Sequence, residues 1–221
     1  MCLKPCGRCS FFITFTFNPK WPEADVRPRR IADYVDIQCR VFNLRLKSFL
    51  RRLRAGQFFG GRNGPFRGEP PVYIMCVVEF QKRGFPHAHL AVKMPVDPTD
   101  PEVIDELITA RMPPHPDTLE NPTPDDRIYY DLVRANLTHR RCVEGRCFQH
   151  GLPEGQRTCK WGYPHAPNAM TYFDEKGFCK PQRLTRADAY VVPHNRELVL
   201  WLRCHVNVEL AHSVTIISYL R

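Results

Sequence analysis

The sequence predicts an α+β fold, and three stretches of the 221-residue chain carry this prediction. The first, FFITFTF (11–17), alternates apolar residues with threonine, which is typical of a β-strand. The second, 31–55, repeats apolar residues at helical spacing and reaches a natural stop at Gly56. The third, 72–94, holds two apolar stretches joined by a short glycine-containing turn, which indicates a β-hairpin.

The composition suits one globular domain in a reducing, intracellular setting. The chain is 43% hydrophobic and has no low-complexity tract, and its length is sufficient to bury a core. No apolar stretch approaches the length of a membrane span, and the N-terminal stretch is a poor signal peptide. We therefore expect the ten cysteines to be thiols or metal ligands, with a secreted disulfide-rich domain as the alternative.

The formal charge of +9 makes a polyanionic partner plausible. Much of this charge lies on the polar face of the first predicted helix. That face is either simply solvated or in contact with phosphates. Its basic residues are Arg45, Lys47, Arg51, Arg52 and Arg54.

Further elements follow along the chain. Thr99 or Asp100 is expected to cap a helix that begins near Pro101, and Glu102 would complete a capping box with Thr99. Residues 112–185 are predicted to form an irregular insertion, rich in proline, cysteine and histidine. Regular signals resume at 189, and CHVNVEL (204–210) follows as a regular, strand-like segment.

Two histidines stand one residue apart in the second strand of the predicted hairpin, so His87 and His89 point to the same face. A turn near Arg83 and Gly84 would place Glu79 opposite or diagonal to both of them. Two imidazoles and a carboxylate suit Mn²⁺, and also Mg²⁺ if the substrate supplies phosphate oxygens. The alternative is a pair of half-buried histidines that pack on a sheet.

A second candidate metal site lies in HRRCVEGRCFQHGLPEGQRTCKWGYP (139–164). The spacing H-x2-C-x4-C-x11-C suits a tetrahedral structural zinc site, which would hold together a loop with no core of its own. His150 is a substitute ligand, and the alternative is a set of unrelated surface thiols. The predicted ligands are His139, Cys142, Cys147 and Cys159.

Four motifs, in this order, resemble the N-terminal nuclease domain of Helitron transposases, which belongs to the HUH endonuclease superfamily. They are FITFTFNPKWPE (12–23), VVEFQKRGFPHAH (77–89), YVVPHN (190–195) and CHVNVE (204–209). The resemblance covers the chain from about residue 11 to its end. It implies a single domain over 1–221, built on a central, mainly antiparallel sheet with flanking helices. The cysteine-rich insertion resembles the same family, which carries an HGPC…C…C segment followed by FP; in this sequence KWGYP stands where the family has FP.

The resemblance assigns His87 and His89 to the metal-binding HUH motif, and Glu79 matches a third ligand on the adjacent strand. The family takes its nucleophilic tyrosines from a helix, usually two of them spaced four residues apart. Tyr219 aligns with the first tyrosine, and the second would fall two positions beyond Arg221. We therefore expect the domain to be truncated at its C-terminus.

The activity that the resemblance implies is nicking and strand transfer on single-stranded DNA during rolling-circle transposition, through a 5′-phosphotyrosine intermediate. It also implies Mg²⁺ or Mn²⁺ as cofactor, a nuclear location and a helicase domain that normally follows in the family. One alternative is a remnant that binds single-stranded DNA without cutting it. Another is a metal-dependent phosphohydrolase that uses water as its nucleophile.

Several further residues are expected to support the site or to contact DNA. His205, Asn207 and Glu209 share one strand face, and Glu209 is a reserve candidate for the third metal ligand. Phe15 and Phe17, or Trp21, are candidates to stack on bases of single-stranded DNA, and core packing is favoured for the two phenylalanines. Basic residues of the hairpin turn, Lys82 and Arg83, would contact phosphates.

Overall fold

The computed structural model describes residues 7–24, 35–81, 84–140, 142, 147–148 and 158–211. Helices and strands alternate irregularly along this part of the chain, which confirms the α+β prediction. None of the described helices is long and apolar enough to cross a membrane. In chain order the elements are β1 (Phe11–Thr16), α1 (Val35–Arg54), β2 (Tyr73–Phe80), β3 (Pro86–Lys93), α2 (Pro101–Leu107), α3 (Pro124–Asn136), β4 (Tyr172–Phe173), β5 (Cys179–Lys180), α4 (Arg196–Leu202) and β6 (Val206–Leu210).

The central sheet has the strand order β2-β3-β1-β6, and every neighbouring pair is antiparallel. The strands β2 and β3 form the predicted hairpin. Its connection closes with a hydrogen bond from the Gln81 amide to the Phe85 carbonyl, 3.0 Å. Gly84 in this turn has φ +78°, a conformation that glycine adopts without steric cost. The strands β4 and β5 pair separately as a small two-stranded sheet.

The main core lies on one face of the sheet. Phe15 of β1 is fully buried, and its ring packs at 5.2 Å from Phe42 and 5.7 Å from Phe49 of α1. The buried positions of α1 recur every three or four residues, so one side of the helix covers the sheet. They are Gln38, Val41, Phe42, Leu46, Phe49 and Leu53. Of the predicted helix, residues 31–34 lie outside the described part of the chain.

The helix α2 begins as predicted at Pro101, and its cap is Asp100. The Glu102 amide donates to the Asp100 side chain at 3.0 Å. The capping box expected from Thr99 is therefore wrong. Asp100 occupies the capping position, and its carboxylate accepts the hydrogen bond that a Thr99 hydroxyl would otherwise take.

The prediction that 112–185 is irregular is wrong for α3. This helix begins with a capping box in which Thr123 and Asp126 bond each other's backbone amides, and Pro124 occupies its first turn. Tyr129 and Val133 are buried and belong to the main core. Part of the presumed insertion is thus integral to the domain.

Candidate metal centre

The face of the sheet opposite the main core carries the predicted histidine constellation. In the register of β2 and β3, Glu79 lies opposite His87. In the register of β1 and β3, Thr16 lies opposite His87 and Thr14 opposite His89. Residues paired across antiparallel strands point to the same face, so these side chains meet on one surface.

The three predicted ligands converge. The Oε1 atom of Glu79 lies 3.0 Å from Nε2 of His89, and the rings of His87 and His89 lie 4.5 Å apart. One ligand atom from each residue of the trio lies within 4.8 Å of the others. Thr16 Oγ1 lies 2.6 Å from Nδ1 of His87. This contact orients the ring and leaves Nε2 of His87 as its remaining ligand atom.

The electrostatics favour the forms of these residues that bind a cation. Burial, with smaller contributions from His89 and His205, lowers the pKa of His87 to about 4. The hydrogen bond from His89 is the main cause that lowers the pKa of Glu79. At neutral pH the His87 imidazole is therefore neutral and the Glu79 carboxylate is ionised, as metal binding requires.

The residues present fit a divalent cation. The Glu79 side chain is 56% exposed, whereas that of His89 is 12% exposed, so the centre is open on the carboxylate side. Within the described part of the chain, Nδ1 of His89 is buried and has no hydrogen-bond partner. A buried nitrogen of this kind is uncommon in folded proteins. The other ring nitrogen of His89, Nε2, faces the Glu79 carboxylate and is the second candidate ligand atom of this ring. Two imidazoles and one carboxylate form a mixed nitrogen and oxygen donor set suited to Mn²⁺.

The polar residues of β6 lie on the same face, one strand beyond β1. Asn207 is opposite Thr14, and its side-chain amide donates to Glu209 at 2.8 Å. His205 is close enough to His87 to lower its pKa. Glu209 lies opposite Phe12, and its carboxylate is not part of the trio. This placement favours Glu79 over Glu209 as the third ligand.

The prediction that Trp21 stacks on bases is wrong. Trp21 is 1% exposed, and its Nε1 donates to the Leu202 carbonyl at 2.8 Å. The Arg45 guanidinium covers its ring at 4.4 Å. Phe15 and Phe17 are buried, as expected. The predictions for Lys82, Arg83, His150 and Tyr219 fall on residues outside the described part of the chain.

The predicted zinc ligands also come together. Nε2 of His139 lies 3.4 Å from Sγ of Cys142 and 3.6 Å from Sγ of Cys159. Ligand atoms of His139, Cys142 and Cys147 lie within 4.8 Å of one another. A tetrahedral zinc ion with Zn–S near 2.3 Å and Zn–N near 2.0 Å would separate nitrogen from sulfur by about 3.5 Å. The cluster therefore fits this ion.

The cysteine thiols of this cluster crowd one another. Burial first, and then the neighbouring Cys159 and Cys147, raise the pKa of the Cys142 thiol to about 11. Without a cation, a second thiolate in such a cluster is repelled by the first. A bound cation would reverse this effect and stabilise all the sulfurs as thiolates.

Comparison with known proteins bears on the part of the chain that holds the trio. Residues 2–92 match the Helitron helicase-like domain at N-terminus. The match confirms the resemblance to the Helitron family over this stretch. No curated protein matches the chain.

The matched stretch, residues 2–92, includes all three predicted ligands of the trio and Thr16. The motifs at 190–195 and 204–209, which also carried the resemblance, lie beyond them. For those motifs the resemblance stays a prediction, although the structure places Asn207 beside Thr14 on the same face as the trio.

Sequence reasoning missed two residues that the structure joins to important histidines. Thr16 was predicted only as the polar side of a strand, yet it holds His87. Tyr129 was assigned to an irregular region, yet its hydroxyl lies 2.6 Å from Nε2 of the fully buried His194. The two-residue period of β1 could have indicated the first partnership. Nothing in the sequence pairs Tyr129 with a residue 65 positions away.

Proposed function

We propose that this chain is the metal-dependent, single-strand-specific DNA nicking and strand-transfer domain of a Helitron-type rolling-circle transposase. One observation carries the proposal: Glu79, His87 and His89 bring three ligand atoms within 4.8 Å of one another on an open sheet face. The match of residues 2–92 to the Helitron helicase-like domain supports the same assignment.

In this proposal, Glu79, His87 and His89 hold Mg²⁺ or Mn²⁺, and Thr16 fixes the orientation of the His87 ring. The bound cation would polarise a nonbridging oxygen of the scissile phosphate and offset the charge that develops there. Because the exposed carboxylate forms the open side of the centre, the phosphate is expected to approach from that side. His205 and Asn207 lie next to the trio and would support it or contact the DNA.

The covalent step is assigned to Tyr219, which aligns with the family nucleophile. Its phenolic oxygen would attack the scissile phosphorus and form a 5′-phosphotyrosine bond. The bond to the 3′ oxygen breaks, and this oxygen leaves as a 3′-hydroxyl after taking up a proton, while the phenol loses one. In strand transfer, a second 3′-hydroxyl would lose its proton and attack the phosphorus of the phosphotyrosine. The bond from phosphorus to the tyrosine oxygen would break, and this oxygen would take up a proton and become the phenol again. The bond energy is conserved throughout.

We further propose that His139, Cys142, Cys147 and Cys159 hold a structural zinc ion. Single-stranded DNA is the proposed substrate, a helicase domain the proposed functional partner and the nucleus the proposed location. These assignments go beyond the family match, which covers residues 2–92.

The proposal is tested by incubating the full chain with single-stranded DNA and Mn²⁺, followed by denaturing gel electrophoresis. A covalent protein–DNA adduct that Tyr219→Phe abolishes would support tyrosine catalysis. The matched control is Tyr172→Phe, because Tyr172 is 46% exposed and lies in the separate β4–β5 pair. It should leave adduct formation unchanged.

Two other outcomes would each overturn the proposal. Cleavage without an adduct, equal in Tyr219→Phe and the unaltered chain, would indicate a phosphohydrolase that uses water. Binding of single-stranded DNA with no cleavage in either Mn²⁺ or Mg²⁺ would indicate an inactive DNA-binding remnant.

A further inference from the structure

A row of cations runs along the solvent side of α1. Arg40, Lys47, Arg51 and Arg54 are all exposed. At about 100° per residue, these four positions fall within an arc of about 60°. That arc lies opposite the buried side of the helix, which includes Phe42 and Phe49. We call these four cations the basic stripe.

The basic stripe carries uncompensated charge. Within the described residues, none of its four members forms an ion pair. Asp36, in the first turn, is the single acidic residue of α1. Like charges three or four residues apart, such as Lys47 and Arg51, destabilise a helix. A polyanion would remove this repulsion.

Not every basic residue of α1 belongs to this surface. The Arg45 guanidinium pairs with Glu23 at 2.8 Å and lies over the ring of Trp21. The Arg52 guanidinium lies 5.6 Å from the ring centres of Phe58 and Trp201. Arg45 and Arg52 therefore pack against aromatic rings, whereas the four members of the basic stripe are exposed to solvent.

The basic stripe and the Glu79, His87 and His89 trio lie on opposite sides of the sheet. The helix α1 packs against the core face through contacts such as that of Phe42 with Phe15. The trio projects from the other face. A DNA strand held at the trio would have to pass around the sheet to reach the basic stripe, so the two surfaces are separate.

We propose that the basic stripe is a second nucleic-acid surface, which binds the phosphate backbone of double-stranded DNA. From Arg40 to Arg54 the helix rises about 21 Å, which matches the rise of about six base pairs. Proteins that hold single strands stack bases on aromatic side chains, and no aromatic residue lies in the arc of the stripe. A convex row of cations suits the regular backbone of a duplex. Such contacts carry no sequence preference.

Charge neutralisation tests this surface. The variant combines Lys47→Gln, Arg51→Gln and Arg54→Gln. The matched control combines Arg134→Gln, Lys176→Gln and Arg186→Gln, three exposed residues outside α1. Each triple variant lowers the formal charge by three, from +9 to +6. Thermal melts of both variants would show whether the fold is kept.

Binding of a labelled duplex oligonucleotide is followed by fluorescence anisotropy over a series of salt concentrations. Each lost phosphate contact should reduce the slope of log K against log salt by about 1, so the stripe variant should lose about 2–3. Its affinity at low salt should fall at least about tenfold, and the control should bind like the unaltered chain. Equal losses in both triple variants would overturn the proposal. Binding of the unaltered chain to vesicles of anionic phospholipid, without binding to the duplex, would also overturn the proposal.

This surface is separable from the proposed nicking site. The stripe variant should still nick a short single-stranded oligonucleotide at the rate of the unaltered chain. Conversely, Glu79→Gln should bind the duplex with unchanged affinity and salt dependence, whether or not the chain nicks DNA. Loss of duplex binding in Glu79→Gln would place the duplex at the trio and overturn the assignment to the stripe.

Discussion

Glu79 lies directly opposite His87 in the sheet, yet its carboxylate bonds diagonally to His89, with Oε1 3.0 Å from Nε2. Cross-strand neighbours in the diagonal position are within reach of long side chains. The same carboxylate is therefore close to both imidazoles. Because its side chain is mostly exposed, a small rotation lets it share a cation with them without moving the backbone.

Replacing this carboxylate should weaken metal binding. We expect Glu79→Gln to raise the Kd for Mn²⁺ at least about tenfold, because the amide keeps the shape but loses the charge that attracts the cation. Isothermal titration calorimetry measures the change. Glu209→Gln is the matched control, since Glu209 lies on the same face but outside the trio. If Glu209→Gln weakens binding and Glu79→Gln does not, Glu209 is the third ligand.

The hydroxyl of Thr16 should contribute to metal affinity without touching the metal. Thr16→Val removes the contact at 2.6 Å to Nδ1 of His87 while keeping the side-chain volume. Loss of such a supporting contact typically costs about 10–100-fold in metal affinity. Thr14→Val is the control because Thr14 lies opposite His89 on the same strand face. Equal affinities for the two variants would show that Thr16 does not position the ring.

Much of the trio could be predicted from sequence because its geometry is local. The residues Glu79, His87 and His89 belong to one hairpin, and the short turn fixes the strand register. The two-residue period then decides which side chains share a face. The zinc ligands could be predicted for a related reason, because they lie close together in the sequence, between His139 and Cys159. Both sets converge as the sequence predicted.

The parts of the site and core that the sequence did not predict depend on contacts between residues far apart in the chain. Thr16 reaches His87 across 71 positions and Tyr129 reaches His194 across 65. Neither contact follows from local propensity, because each requires the packed arrangement of the sheet or the helices. The prediction for Trp21 is wrong for the same reason. An aromatic residue after a strand suits either a binding surface or a core, and only its packing under Arg45 decides between them.

The cysteine cluster should bind one zinc ion that stabilises the domain. We expect about one equivalent of zinc in protein purified without chelators, and a lower Tm after treatment with a strong chelator. Cys159→Ala should lose most of this zinc, because Cys159 lies 3.6 Å from His139. Cys39→Ala is the control, since Cys39 lies in α1. Less than half an equivalent in the unaltered chain would contradict the site.

The Tyr129 and His194 pair should stabilise the fold. Tyr129→Phe leaves the buried Nε2 of His194 without its partner at 2.6 Å, and an unsatisfied buried group costs about 1–3 kcal/mol. We therefore expect a lower free energy of unfolding in urea. Tyr130→Phe removes a hydroxyl from the next residue, which is only half-buried, and should change stability much less. A loss as large in Tyr130→Phe would indicate a general effect on α3.

Acid should destabilise the domain through its buried histidines. Burial lowers the pKa of His194 to about 4, whereas an unfolded histidine titrates near 6.5. Between these values the unfolded chain binds a proton that the folded chain does not. The free energy of unfolding therefore falls as pH decreases from about 6.5 to 4, by about 3 kcal/mol for this residue alone.

Burial also lowers the pKa of His87 and of His165 to about 4, so these histidines add to the pH dependence of stability. A substitution isolates the contribution of His194. His194→Gln cannot titrate, so its stability should depend less steeply on pH between about 4 and 6.5 than that of the unaltered chain. Urea unfolding across this range measures both slopes. His115→Gln, at a histidine whose side chain is 48% exposed, serves as the control for loss of a surface histidine. An unchanged slope in His194→Gln would mean that His194 takes up no extra proton on unfolding.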